Sequence, residues 1–188
     1  MASRICIRPL RSNQSGYSLI DGLIATSVVA IVAGIAATSA GDSRARQQLV
    51  GAVSEFETHI HHAKTLASAT NAVVRITFEA LQEGACYVVH SSSTTGSSND
   101  CTCTADGAVQ CKPEVTALRV VHFDPQSGLQ VAANVKSMAI DPLRGTVTPA
   151  GTVRFATPNG AAVHQVVNAL GRVRSCSPTP GMAGYLPC

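Results

Sequence analysis

Residues 16–41 read GYSLIDGLIATSVVAIVAGIAATSAG, and between Leu19 and Gly41 that stretch holds one ionisable side chain, Asp21, and no proline. An apolar run of this kind is long enough to cross the hydrocarbon core of a bilayer, which takes a helix of roughly 20 residues. Arg4, Arg8 and Arg11 precede it. Basic residues on that flank stay cytoplasmic under the positive-inside rule, so whatever follows faces the other side. Working outward past Gly41, the pattern becomes amphipathic: Leu49, Val53, Phe56, Ile60, Ala63, Leu66 and Ala67 recur at three- and four-residue spacing. Helical periodicity therefore continues with one apolar stripe. With Asn71 as a stop, the sequence predicts a single helix from about Ser18 to Thr70, roughly 80 Å long at 1.5 Å per residue.

Beyond the helix, short runs rich in β-branched residues alternate with turn formers. They are Val73–Phe78, Cys86–His90, Leu118–Phe123, Val135–Ile140, Gly145–Thr148, Thr152–Ala156, Val163–Ala169 and Val173–Cys176. Such runs predict an antiparallel sheet. The fold class expected is α+β, a long N-terminal helix packed along a small antiparallel head. Ser91–Asp100 reads as a polar loop, pinned by the cysteines after it.

The chain has 188 residues, of which 45% are hydrophobic and 13% charged. That excludes a wholly disordered protein and leaves room for one modest folded head plus an anchor. The net charge of +3 hides a division. Residues 42–116 carry five basic and eight acidic side chains, whereas residues 117–188 carry six basic and two acidic. An anionic partner is to be sought on the C-terminal half. Of seven cysteines, Cys6 precedes the apolar run and Cys86, Cys101, Cys103, Cys111, Cys176 and Cys188 follow it. An even remainder of six suits disulfides in an oxidising compartment. Six cysteines allow 15 pairings, so connectivity stays open, although neighbours in Cys101-Thr102-Cys103 are poorly placed to bridge each other. Pairing of Cys176 with Cys188 would tie down the Pro/Gly-rich tail between them.

The order of features at the N-terminus, three arginines, Ser12-Asn13-Gln14-Ser15-Gly16, then Tyr17-Ser18-Leu19-Ile20-Asp21, resembles the prepilin leader. The resemblance implies a peptidase that cuts between Gly16 and Tyr17 and methylates Tyr17. It implies that Asp21, where the family usually has Glu, pairs with the amino terminus of a neighbouring subunit. A carboxylate inside an apolar helix is costly unless it finds such a partner. An ordinary secretory signal cut near Ala37-Thr38-Ser39-Ala40 fits less well, because its apolar region would exceed the usual length of about 7–15 residues. A plain anchor explains the helix but neither Gly16 nor Asp21.

The segment Gly145–Cys176, with Thr152-Val153-Arg154-Phe155, the Pro158-Asn159-Gly160 turn and Leu170-Gly171-Arg172-Val173-Arg174, is similar to the C-terminal half of GspH/FimT proteins. Gly171-Arg172-Val173-Arg174 matches the GRxR motif of FimT-type minor pilins, which implies binding of double-stranded DNA during uptake. Residues two apart on a strand point the same way. Arg172 and Arg174 would thus form a paired comb for adjacent phosphates. Arg154, Arg144, Lys136 and Arg119 are candidates to extend it.

The family resemblance divides the chain into a cleaved leader (1–16), a transmembrane and polymerisation segment (17–41) and a periplasmic head (42–188) whose helix continues to about residue 70. It places the protein in the bacterial inner membrane before incorporation into a pilus or pseudopilus. The partners implied are other pilins or pseudopilins, the prepilin peptidase, the inner membrane and DNA. Pseudopilin of a type II secretion system, or a priming subunit that only helps assemble pili, are the alternative roles. His59, His61 and His62 cluster on the helix, and Cys101, Cys103 and Cys111 cluster beyond it. Neither set has the count and spacing of a metal site. No cofactor, metal or catalytic constellation is expected.

Overall fold

The computed structural model describes residues 18–81, 84–92, 100–104, 106–178 and 182–188, without the side chains of residues 35–40. It divides into two units, Met1–Ala40 and Gly41–Cys188. The expected leader 1–16, with Gly16, and the Tyr17 expected to follow the cut lie outside the described residues.

Helix α1 runs Leu19–Thr70. In the first unit its described side chains are exposed all round, including Leu19, Ile20, Leu23, Val29 and Ile31. Among the described residues no helix is long and apolar enough to cross a membrane. The described side chains of the apolar run stop at Gly34, and its continuation through residues 35–40 lies outside them.

In the second unit α1 buries one stripe, Leu49, Ala52, Val53, Phe56, Ile60, Ala63 and Ala67. These are the predicted positions with Ala52 added and Leu66 only half-buried. The helix ends as predicted at Asn71, which takes a left-handed φ of 52° while Ala72 N–H donates to the Ala67 carbonyl. This i→i+5 bond is the Schellman stop, and Asn tolerates its left-handed position better than most residues.

The head holds two five-stranded sheets and a hairpin, where one small sheet was expected. The first sheet contains β1 (Val73–Ala80), β2 (Ala85–Ser92), β5 (Ala117–Phe123), β7 (Ser137–Ile140) and β8 (Val147–Thr148), in the order β5-β2-β1-β7-β8. The second contains β6 (Gln130–Ala133), β9 (Gly151–Ala156), β10 (Ala162–Val167), β11 (Val173–Ser177) and β12 (Leu186–Pro187), in the order β12-β11-β10-β9-β6. All pairings are antiparallel except β11 with β12. The remaining pair, β3 (Cys101–Cys103) and β4 (Val109–Cys111), forms the hairpin.

One core joins the helix stripe to the inner faces of both sheets, through Val74, Ile76, Tyr87, Val89, Met138 and Ile140 on one and Val153, Phe155, Val163 and Val167 on the other. Phe56 is at its centre, with ring centroids 5.4 Å from Tyr87, 5.9 Å from Phe155 and 6.0 Å from Phe78. Splitting the strands into two layers gives each sheet an inner face that packs on the helix stripe.

All six cysteines of the head are bonded, as Cys86–Cys103, Cys101–Cys111 and Cys176–Cys188. The first two fasten the hairpin over the far face of the first sheet, where Cys86, Val88, Cys101 and Cys103 form a second small core. The third ties β12 beside β11.

Candidate functional site

Of the six predicted basic residues, Arg154 and Arg174 lie on the outward face of the second sheet. Along β9, Gly151, Val153 and Phe155 are buried while Arg154 is exposed; along β10, Val163, Gln165 and Val167 are buried while Val166 is exposed. Register sets Arg154 opposite His164 and Arg174 opposite Val166. Arg154 and Arg174 therefore flank β10 diagonally, two strand spacings apart and two residues offset, or about 12 Å. The His164 imidazole between them is held below its ordinary pKa, first by burial and then by the Arg154 charge.

Arg172 stands one residue before β11, and the strand begins at half-buried Val173. Both motif arginines are exposed and the valine between them packs on the core. The turn that presents them is closed by Asn168. Its side-chain oxygen accepts from the N–H groups of Leu170 (3.0 Å) and Arg172 (2.9 Å), and its own N–H donates to the Arg172 carbonyl at 3.1 Å. Gly171 has φ 68°, and a Cβ there would come within 2.9 Å of both the Gly145 carbonyl oxygen and Lys64 Nζ. The glycine of the motif is thus required by a left-handed turn and a close approach, independently of any ligand.

Lys64, on the net-acidic half of the sequence, belongs to this site. Its Nζ donates to the carbonyls of Gly171 (3.2 Å) and Leu170 (3.4 Å). The Asp141–Gly145 turn packs alongside: Val147 N–H donates to the Ala169 carbonyl at 2.9 Å, and Asp141 accepts from the N–H groups of Leu143 (2.9 Å) and Arg144 (2.7 Å). Arg144 is consequently carried on a rigid turn adjoining the one that carries Arg172. Among the described residues no ion pair involves Arg144, Arg154, Arg172 or Arg174.

The other two candidates are placed elsewhere. Arg119 lies on β5, at the edge of the first sheet opposite Val89; the pKa of His59 is lowered first by burial, against Glu55, with the Arg119 charge a smaller contribution. Lys136 lies between β6 and β7, its carbonyl accepting from Phe78 N–H. Neither joins the outward face of the second sheet. Asp21 is exposed in the first turn of α1. Among the described residues no group of three or more His, Cys, Asp or Glu is placed to hold a metal ion. His59 instead contacts the Tyr87 hydroxyl at 2.8 Å.

Sequence reasoning missed Lys64 and His164. Lys64 acts across 107 positions of chain, which no local pattern reveals. For His164 a signal existed, since it alternates with Val163 and Gln165 and so had to face outward with Arg154 once the two strands paired.

No curated protein and no solved structure matches the chain. The family model of type II transport protein GspH matches residues 52–171, from the packed part of α1 through β10 to the glycine of the GRVR turn. That span is more than half of the chain and contains the central strands of both sheets, and on it the chain belongs to the GspH family, whose members are pilin- and pseudopilin-like minor subunits.

Proposed function

We propose that the chain is a minor pilin of a type IV pilus whose head holds double-stranded DNA without strong sequence preference, for uptake. The observation that carries this reading is the outward face of β9, β10 and β11, where Arg154 and Arg174 share one surface and Arg172 and Arg144 continue it on two interlocked turns. Guanidinium groups suit phosphate because they offer planar, multi-donor contacts. Contacts to phosphate position a protein without reading bases, so preference among sequences is slight.

The first unit supplies the anchor. An α1 segment that exposes Leu19, Ile20, Leu23, Ile24, Val28, Val29, Ile31 and Val32 with Asp21 as its one charge needs lipid or neighbouring helices around it. In this reading Gly16 and Tyr17 are the processing site of the prepilin peptidase, the run to Gly41 inserts in the inner membrane with the head periplasmic, and Asp21 pairs with the amino terminus of a neighbouring pilin. The role is structural and binding, not catalytic. A second reading is favoured by the family description itself: a pseudopilin of a type II secretion system, binding other pseudopilins and no nucleic acid.

Fluorescence anisotropy of a labelled duplex with the full-length chain in detergent separates the two. The DNA reading expects binding at 50 mM salt that the Arg172→Gln/Arg174→Gln variant largely loses. Absence of binding by the parent chain at low salt contradicts it and favours the pseudopilin.

A further inference from the structure

Two leucines project from the turns that carry the arginines. Leu143 is 84% exposed and Leu170 is 63% exposed. Single exposed leucines are ordinary, but this pair differs in how it is held. Asp141 fixes the turn at Leu143 and Asn168 fixes the turn at Leu170, each through two side-chain-to-backbone hydrogen bonds. The turns are also locked to one another, by the Val147–Ala169 bond, by Lys64 beneath Leu170 and Gly171, and by the close approach of Gly171 to the Gly145 carbonyl. Each leucine is thus presented on rigid backbone, and each has an exposed arginine one or two residues on, Arg144 and Arg172.

We infer that Leu143 and Leu170 form an apolar wedge that seats in the minor groove of duplex DNA while Arg144 and Arg172 hold the phosphates on either side. This rests on the DNA reading and adds to it a contact that is not electrostatic. Proteins that enter the minor groove commonly insert aliphatic side chains between base steps, partly unstacking them. The groove is about 6 Å wide and presents a degenerate pattern of base edges, so a wedge there adds affinity with little sequence readout. Any preference should favour pyrimidine–purine steps, which unstack most readily.

The charge beside the leucines suits an extended polyanion: among the described residues no ion pair involves Arg144, Arg172, Arg174 or Arg154. A rod-shaped polyanion seated on the turns can continue along the sheet past Arg174 to Arg154.

The test compares the full-length parent chain in detergent with Leu143→Ser/Leu170→Ser, Leu143→Met/Leu170→Met and Arg172→Gln/Arg174→Gln. It uses anisotropy of a 30-base-pair duplex across a salt series. The wedge predicts that the serine variant binds about tenfold more weakly at every salt concentration with an unchanged salt slope, and that the methionine variant binds like the parent. Equal binding by the serine variant while the arginine variant loses affinity overturns the wedge and leaves the DNA reading intact. No binding by the parent overturns both.

Discussion

At position 171 backbone and partner requirements coincide. The left-handed φ of 68° and the 2.9 Å approach of a would-be Cβ to the Gly145 carbonyl both act against any side chain. Strain of this kind costs on the order of 1–3 kcal/mol. Gly171→Ala should therefore lower the urea midpoint of the head appreciably, and chemical denaturation will measure it. Position 90 gives a prediction of pH dependence. His90 is fully buried; its Nδ1–H donates to the Ser91 carbonyl at 2.9 Å, which leaves Nε2 facing the Thr77 hydroxyl at 2.9 Å as an acceptor. Burial holds the ring below its ordinary pKa of 6.5, against smaller opposing effects of Ser91 and Asp100. A histidine depressed in the folded state takes up its proton more readily unfolded, so its stabilisation is present above pH 6.5 and is lost as pH falls below it. The denaturation midpoint should decline from pH 7 toward pH 5, and His90→Gln should flatten that decline. Lys64 shows what a sequence hides at this scale: it lies in the net-acidic half, yet its ammonium closes the turn that presents Arg172.

Among the elements, the helix was the most legible. Its stripe from Leu49 to Ala67 is local, and Asn71 supplied the stop. Long β-branched runs such as Val73–Phe78 were legible for the same reason. Strands β3 and β4, three residues each, carry little propensity and exist because disulfides clamp them over β2. Strand β6, Gln130–Ala133, is nearly as quiet in sequence and is defined by its pairing with β9. The division into two sheets was illegible, since alternation says that a strand has a buried face but not which layer it joins. Two predictions belong here. Phe56→Ala removes the ring on which both sheets and the helix converge, and should cost about 3–5 kcal/mol by denaturation. Replacing Cys86 and Cys103 together by alanine frees the hairpin from β2. The loss should be about 2–4 kcal/mol, measured the same way. It should also speed hydrogen exchange at Arg75, Thr77 and His90, which the hairpin side of the first sheet now buries.

Over the whole molecule, charge and hydropathy are segregated along the chain. The apolar run to Gly41 is followed by a net-acidic stretch and then by the half containing Arg119 to Arg174. The candidate site was partly readable from this: the sequence singled out Arg172, Arg174, Arg154, Arg144, Lys136 and Arg119, and folding places the first three on or beside the second sheet and Arg144 on a first-sheet turn that packs against the Asn168 turn, while Arg119 and Lys136 lie on or beside the first sheet away from them. The grouping depends on which strands pair and which turns meet, a long-range property. At the other end of the chain, pilin processing predicts that mass spectrometry of membrane-extracted protein finds methylated Tyr17 as the first residue. A terminus at Met1 or near Gly41 contradicts that reading. The most direct test of the claim that the outward arginine face holds DNA is the salt dependence of duplex affinity for the full-length chain. If Arg144, Arg154, Arg172 and Arg174 neutralise roughly four phosphates, log affinity should fall with log salt at a slope of about −3.6, and Arg154→Gln should reduce that slope by about one unit. A slope near zero, or one that the Arg154 substitution leaves unchanged, contradicts the account.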